Sequence, residues 1–330
     1  MKSKSLFRAL LVALAPCMVA GSTEVTAGPT DNPSVASVRT FRFFYAASIN
    51  QIKPGTRARV WLPIATDSAW QQVCRIRISV PGDPRETVEQ QYGNHLLYFE
   101  ATADKTGEIP LEIVYDIRRK ETVSSPIAGE VRSSLDLFLK PTRNIPIDGS
   151  LMRQVVTRSI MGTDAMATVR ELYDAVNDHM RYDRPAGQPW GRGDAAWACK
   201  SGFGNCTDYH SLFIGLCRER HIPAKFEIGF PIACDASKGT VGGYHCWAMF
   251  AADGRWHAVD ISEADKAPEM EEYYFGHLTP DRVTFTLGRD LLLEPRQAAG
   301  PVNFLIHPYV EVDGKPHTSL EKRFRYEGID

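Results

Sequence analysis

The residue whose type and position most clearly suggest chemistry is a cysteine at the predicted start of a helix. Cys206 lies in the run GNCTD at 204–208, after a glycine turn and before an apolar helical pattern that ends near residue 220. A thiol there faces the positive end of a helix dipole and unpaired backbone amides, which favour a thiolate and can support an oxyanion. Because free cysteine often simply packs in a core, Cys206 needs a base before it can be assigned as a nucleophile.

A candidate base and a carboxylate follow on two predicted strands. These strands flank the dipeptide DG at 253–254, which is typical of tight hairpin turns. If this dipeptide forms the loop, Trp247 lies opposite Asp260, and the alternation of side chains puts His245 on the same face. A carboxylate beside an imidazole can fix its tautomer and stabilise the imidazolium formed when a thiol is activated. A change of one residue in the register would separate the two groups.

Two other histidines compete with His245 for the role of base. His210 lies four residues after Cys206 and therefore on the same helical face, but its apolar neighbours favour a role in the core. His257 alternates onto the opposite face from Asp260. Neither displaces His245 as the predicted base.

The region also contains residues that could bind a metal ion or form disulfides. The candidate metal ligands are Cys199, Cys206, His210 and Cys217. Their spacing lacks the close Cys-x-x-Cys pairs of structural zinc sites, so we expect no metal and no cofactor. Cys234 and Cys246 could form a bridge between neighbouring strands, but the number of cysteines does not decide the pairing.

The N-terminus has the order of a secretory signal. Basic residues precede an apolar stretch at 10–15, and the small residues VTA at 25–27 offer a cleavage site, so we predict a signal peptide at 1–27. The alternative is lipid attachment at Cys17, but Pro16 directly before it does not fit that motif. The chain is therefore expected to be exported to the periplasm or secreted, with no integral membrane segment once the signal is removed.

The composition is that of a soluble globular protein. The 330 residues include 43% hydrophobic and 24% charged residues, and 38 basic residues are balanced by 40 acidic ones. No large positive surplus is available to bind nucleic acid or an anionic membrane. The length is sufficient for two domains.

The hydrophobic pattern divides the chain into a strand-rich first half and a mixed second half. Alternating segments separated by Pro-Gly turns predict a β-sandwich at 38–145. The region 151–330 is expected to form the second domain, whose final part from about 282 is a strand-rich extension. Its predicted elements are helices at 163–180 and 206–220 and strands at 226–230, 244–250 and 256–261. This layout indicates an α+β fold.

These motifs together resemble the bacterial transglutaminase-like domain of the papain-like superfamily. The matching runs are GNCTD at 204–208, IPA at 222–224, GYHCWA at 243–248 and VDI at 259–261. The resemblance covers about 163–265 and implies a papain-like α+β catalytic domain preceded by the small β-sandwich. It implies Cys206 as nucleophile, His245 as base and Asp260 as the third member of a triad. It also implies that the strand-rich tail, with GRD at 288–290, accompanies the domain.

The resemblance leaves one site residue and the reaction open. Members of the family often complete the oxyanion hole with an aromatic or amide side chain upstream of the cysteine, and Trp190 and Trp197 are both candidates. Relatives include amine-transferring crosslinkers, peptidases, amidases and proteins with a decayed triad. No acidic cluster resembles a calcium loop, so metal activation is not expected.

The chemistry expected from these residues is acyl transfer through a thioester on Cys206. With water as acceptor the protein would be a cysteine peptidase or amidase acting on a peptide or protein amide. With an amine as acceptor it would be a protein-glutamine transglutaminase, and a non-catalytic binding module is the third alternative. The sequence leaves the substrate and the oligomeric state open.

Overall fold

The structure is a computed structural model that describes residues 37–127, 132–156 and 160–329, and the structural statements below refer to these residues. They form three antiparallel sheets and a group of helices, which confirms the α+β class. No helix among them is both long and apolar enough to cross a membrane. The predicted signal peptide and Cys17 lie outside the described residues.

Two of the sheets form the layers of a β-sandwich. The strands of the first sheet, in spatial order, are β3 (Gln71–Ser79), β6 (Ile109–Lys120), β1 (Val38–Ile49), β16 (Leu320–Gly328) and β9 (Lys238–Val241). Those of the second sheet are β15 (Lys315–Pro316), β14 (Tyr309–Val312), β2 (Arg57–Pro63), β5 (His95–Thr102) and β4 (Arg85–Val88).

The alternation of side chains along β1 explains why this sheet has one buried face. Phe41, Phe43 and Tyr45 are fully buried, whereas the intervening Arg42 lies on the outer face. There its Nε atom lies 2.6 Å from Oδ1 of Asp116 on the neighbouring strand β6. Alternate residues of β2 join the same hydrophobic core from the second sheet.

The C-terminal strands complete this sandwich. β16 pairs with β1, placing Phe324 opposite Tyr45, and β14 pairs with β2. The predicted division at residue 151 had assigned these strands to an extension of the second domain. They lie instead in the sheets of the first half, because antiparallel pairing joins strands regardless of their distance along the chain.

The third sheet and the helices surround the candidate nucleophile. The strands of this sheet, in spatial order, are β12 (Phe275–Gly276), β11 (Arg255–Val259), β10 (His245–Ala252), β8 (Ala224–Pro231) and β13 (Arg282–Leu287), and β7 (Ser125–Pro126) pairs with β11. The helices are α1 (Arg132–Leu137), α2 (Ser150–Val155), α3 (Ala165–His179), α4 (Ala195–Ser201), α5 (Cys206–Glu219) and α6 (Ile261–Lys266). A single 3-10 turn follows at Pro268–Met270.

Helix α5 is the central helix of the second half. It contacts β8 and β10 on one side and α3 and α4 on the other, and every residue from Cys206 to Arg218 is buried. A helix surrounded in this way has little freedom to shift. The sulfur at its first residue is therefore held in a fixed position relative to β10.

The sandwich and the third sheet share an aromatic core. The ring of Phe324 on β16 lies 4.3 Å from that of Phe230 on β8 and 4.9 Å from that of Tyr45 on β1. Because these rings come from both parts of the chain, their packing fixes the third sheet against the sandwich.

Replacing this ring should therefore destabilise the whole fold. We expect Phe324→Ala to lower the free energy of unfolding by about 3–5 kcal/mol, from lost burial and the cavity left behind. Arg323→Ala is the matched control, because the adjacent Arg323 side chain is 75% exposed. It should change the free energy by less than about 0.5 kcal/mol. Urea unfolding measures both values, and equal effects would contradict a shared aromatic core.

Candidate active site

Cys206 is the first residue of α5, and a capping box fixes the turn that carries it. The side-chain oxygen of Asn205 accepts a hydrogen bond from the amide of Thr207 at 2.9 Å. The carboxylate of Asp208 accepts from the amide of Asn205, also at 2.9 Å. Cys206 itself is only 2% exposed. Its sulfur therefore lies in a nearly closed site at the positive end of the helix.

Asp208 also ties a preceding loop to this turn, a role the sequence patterns did not reveal. Its Oδ1 atom accepts from the amide of Gly193 at 2.9 Å. The guanidinium of Arg289 donates to the Gly193 carbonyl and to the hydroxyl of Ser211, each at 2.6 Å. Burial raises the pKa of Asp208 to about 6. The arginine of the GRD motif thus serves to hold the loop against α5.

The loop comes so close to Asp208 that it requires glycine. A Cβ atom at Gly191 would lie 1.9 Å from Oδ1 of Asp208, and one at Gly204 would lie 2.6 Å from Oδ2. Any larger residue at Gly191 would displace the carboxylate that caps α5. The glycines around the nucleophile turn therefore have a packing role.

His245 and Asp260 meet as the hairpin register predicted. Ala252 pairs with Arg255 and Ala248 with Val259, so the register is the predicted one and the pairing ends one residue before Asp260. Nε2 of His245 lies 2.7 Å from Oδ2 of Asp260. Since the carboxylate accepts from Nε2, Nδ1 is the nitrogen left for the hydrogen bond between the His245 and Cys206 side chains. The structure thus brings all three predicted residues together.

Asp260 is not the strand residue that the pattern indicated. β11 ends at Val259, and Asp260 caps α6, with Oδ1 accepting from the amide of Glu263 at 3.2 Å and the hydroxyl of Ser262 at 3.1 Å. On its other side, Nη1 of Arg282 on β13 lies 3.0 Å from Oδ2. These bonds hold the buried carboxylate in a single orientation.

The sequence patterns gave no signal for Arg282. It comes from a strand that pairs with β8, more than twenty residues after Asp260 in the chain. Only the sheet order brings it to the carboxylate, where its guanidinium also stacks on the Trp247 ring at 4.8 Å.

The electrostatics of the site favour an ion pair between Cys206 and His245. A hydrogen bond from Cys246 lowers the pKa of Cys206; burial opposes this effect, and the imidazole of His245 reinforces it. Burial alone would lower the pKa of His245, but the charge of Asp260 raises it to about 10. Burial likewise opposes ionisation of Asp260, yet His245 and Arg282 hold its pKa well below its usual value. Both shifts favour a thiolate beside an imidazolium over the neutral pair.

The two competing histidines have other roles. Nδ1 of His210 donates to the carbonyl of Cys206 at 2.8 Å, while its Nε2 accepts from the amide of Ile261 at 3.2 Å. Burial also lowers the pKa of His210, so both of its nitrogens are occupied in the neutral form. The ring of His257 stacks on Phe250 at 5.3 Å. Neither imidazole is available as a base for Cys206.

The two tryptophans proposed for the oxyanion hole lie in different surroundings. Trp197 packs against Phe203 at 5.4 Å. Trp190 is 38% exposed and lies 5.9 Å from the ring of Tyr182, whose backbone bridges to Gly204 of the nucleophile turn. Each tryptophan therefore reaches the nucleophile turn through one aromatic neighbour, Trp190 through Tyr182 and Trp197 through Phe203. An oxyanion role for either side chain stays a prediction.

The arrangement of the site does not suit a metal ion. His245, Asp260 and Glu263 have ligand atoms within 4.8 Å of one another. Their strongest contacts are already internal, because His245 bonds to Asp260 and Arg282 brings a positive charge to the same carboxylate. A second cation would be repelled there.

The bridge considered between Cys234 and Cys246 is not formed. Both are free thiols; Cys234 is exposed, whereas Cys246 is fully buried beside the candidate nucleophile. A disulfide requires the two sulfurs to lie within bonding distance, and these occupy different environments.

The ion pair predicts how removal of the Asp260 charge affects the thiol. Asp260→Asn keeps the shape and the helix cap but no longer stabilises the imidazolium, so the pKa of Cys206 should rise. The midpoint of the pH profile for alkylation of Cys206 by iodoacetamide should therefore rise, and at pH values below both midpoints the rate should fall by about tenfold for each unit of that rise. Peptide mass spectrometry measures the rate.

Asp253→Asn is the matched control, because it removes a carboxylate from the turn of the same hairpin, away from the sulfur. It should leave the alkylation rate unchanged. Equal rates for Asp260→Asn and the unmodified protein would show that Asp260 does not support the ion pair.

Comparison with known proteins agrees with this geometry. The family model of the transglutaminase-like superfamily matches residues 154–261. An uncharacterised protein from Haemophilus influenzae is 25% identical over 321 residues, covering 83% of this chain and 86% of its own. The structure of a candidate cysteine protease from Cytophaga hutchinsonii covers 88% of this chain and 91% of its own, with a TM-score of 0.55 and 15% identity.

A further structure resembles the chain more weakly. The periplasmic domain of TgpA from Pseudomonas aeruginosa is 14% identical and covers 75% of this chain and 98% of its own, with a TM-score of 0.37. The assignment therefore rests on the family model, together with the fold shared with the Cytophaga hutchinsonii protein. Residues 154–261 therefore form a transglutaminase-like domain, and the chain shares its fold with the Cytophaga hutchinsonii protein.

Proposed function

We propose that this protein is an exported thiol-dependent acyl-transfer enzyme that hydrolyses amide bonds, as a cysteine peptidase or amidase. The observation that carries the proposal is the contact of Cys206, at the start of α5, with an imidazole that is itself bonded to Asp260 at 2.7 Å. Nucleophile, proton donor and orienting carboxylate are thus adjacent. Export rests on the predicted signal at 1–27.

In the first half of the reaction the thiolate of Cys206 attacks the amide carbonyl carbon. The carbonyl oxygen becomes an oxyanion beside the start of α5, where the first amides of a helix have no partner within the helix. Thr207 already donates its amide to Asn205, which leaves the amide of Cys206 itself as the candidate donor. The His245 imidazolium then gives its Nδ1 proton to the leaving amine, and a thioester remains on the sulfur.

In the second half the neutral imidazole takes a proton from the acceptor that attacks the thioester. With water, the products are a carboxylic acid and the regenerated thiolate and imidazolium. Water is favoured because Cys206 is 2% exposed and His245 is 5% exposed, so a small acceptor reaches the sulfur more easily than a lysine side chain would. Asp260 keeps the ring in one orientation through both steps.

The proposal predicts cleavage or deamidation without amine incorporation. We expect a library of glutamine-containing peptides, mixed with a labelled primary amine, to lose ammonia or be cleaved without gaining the mass of the amine. Cys206→Ala should lower turnover by at least about 1000-fold, because the nucleophile is removed. Mass spectrometry measures each product.

Cys234→Ala provides the control, since it removes an exposed thiol outside the site. It should keep full activity. Gain of the amine mass would replace hydrolysis with transglutamination as the function. Alkylation of Cys206 in the folded protein no faster than that of an ordinary thiol would favour a non-catalytic module instead.

A further inference from the structure

A second thiol contacts the candidate nucleophile, and the proposed mechanism does not use it. Cys246 follows His245 on β10, is fully buried, and lies close enough to Cys206 for each thiol to shift the pKa of the other. Its Sγ atom also lies 3.6 Å from Nδ1 of His210 on α5. Two buried cysteines from different elements are therefore neighbours at the candidate site.

The hydrogen bonds of His210 fix which of its nitrogens carries the proton. Nε2 accepts from the amide of Ile261, so it has no proton of its own in the neutral ring. Nδ1 donates to the carbonyl of Cys206, so the proton is there. The ring is locked in one tautomer by two backbone groups.

This tautomer decides the direction of the bonds at Cys246. Nδ1 of His210 carries a proton and cannot accept the Cys246 proton. Its N–H group already donates to the Cys206 carbonyl at 2.8 Å, so the contact with the Cys246 sulfur at 3.6 Å is the weaker, second branch of that donor. The S–H group of Cys246 is then free to donate to its other neighbour, the sulfur of Cys206.

The two thiols differ in which one holds the negative charge. Cys206 lies at the start of α5 and contacts the imidazole of His245, and both features stabilise a thiolate. Cys246 lies within a sheet, and burial together with the negative charge on Cys206 raises its pKa. Cys246 therefore remains the protonated partner.

We propose that Cys246 is a further catalytic residue, whose S–H group donates to the Cys206 thiolate, and that His210 is the residue that positions Cys246 for this bond. The inference rests on the proposed function, because it requires Cys206 to be the nucleophile. A donor to the thiolate increases the fraction of reactive thiolate at low pH. It also makes each thiolate less nucleophilic, because nucleophilicity falls with pKa.

Several other ionisable groups face the two sulfurs and remain in every variant below. They are His210 and Asp208 on α5, His245 on β10, Asp260 before α6, Tyr182 after α3, Tyr244 before β10 and Arg289 after β13. Because these groups are unchanged, a difference between variants at residue 246 reports the contribution of its donor.

The test is the pH dependence of iodoacetamide alkylation at Cys206, measured on the full protein by peptide mass spectrometry. In Cys246→Ala, we expect the midpoint of the profile to rise by about one pH unit, the effect of losing one hydrogen bond to a charged group. The plateau rate above the midpoint should increase by about threefold, because the thiolate becomes more nucleophilic. The two profiles should therefore cross.

Two further variants separate the donor from packing. Cys246→Ser keeps an O–H donor and should shift the midpoint by less than half as much as Cys246→Ala. Cys246→Val removes the donor without leaving a large cavity, and it should shift the midpoint as much as Cys246→Ala does. The valine variant therefore replaces the alanine variant in the test if the latter does not fold. Cys217→Ala, a buried thiol later on α5, should leave the profile unchanged.

The outcomes distinguish this inference from the proposed function. An unchanged midpoint in Cys246→Ala or Cys246→Val, or equal shifts for serine and alanine, would overturn the donor role of Cys246. A rate reduced by the same factor at every pH would also overturn it, since that is the effect of structural damage. If the unmodified protein already titrates like an ordinary thiol, the proposed nucleophile itself fails.

Discussion

The candidate site depends on a buried ionic hydrogen bond, between Nε2 of His245 and Oδ2 of Asp260. Asp260 is fully buried and His245 is 5% exposed, and an uncompensated charge at this depth would cost about 3–5 kcal/mol. The carboxylate therefore requires further donors, which Arg282, Ser262 and the amide of Glu263 provide. These come from β13 and from the start of α6, so the pair can form only when those elements are in place.

The sandwich contributes to the site indirectly, through the position of β13. The side chain of Gln71 on β3 donates to the carbonyl of Thr284 and accepts from its amide, both at 2.9 Å. Asp281, next to Arg282, forms an ion pair with Arg39 on β1. These contacts fix the strand from which Arg282 reaches Asp260. The sandwich that contains Phe324 therefore also helps to position Arg282 at the candidate site.

The nucleophile is constrained from the opposite direction, by the start of α5. Asp208 caps this helix and binds the loop at Gly193, and Arg289 ties that loop to the helix again. The Cys206 sulfur is consequently held between this turn and β10, and the residue is only 2% exposed. Cys246 and His245 are consecutive residues of that strand, and both lower the pKa of Cys206.

The sequence by itself determined the features that depend on short stretches of chain. A glycine turn before an apolar helix located Cys206, and a two-residue DG turn predicted the register that joins His245 to Asp260. The assignment of Asp260 to a strand was wrong by one residue, because its side chain caps α6 instead. The strand pairing of the C-terminal residues and the contacts of Arg282, Arg289 and Cys246 were decided only by the tertiary structure. These contacts join residues that are far apart along the chain. They form only when the sheets and helices have packed in their final order, and that order cannot be read from a short stretch of sequence.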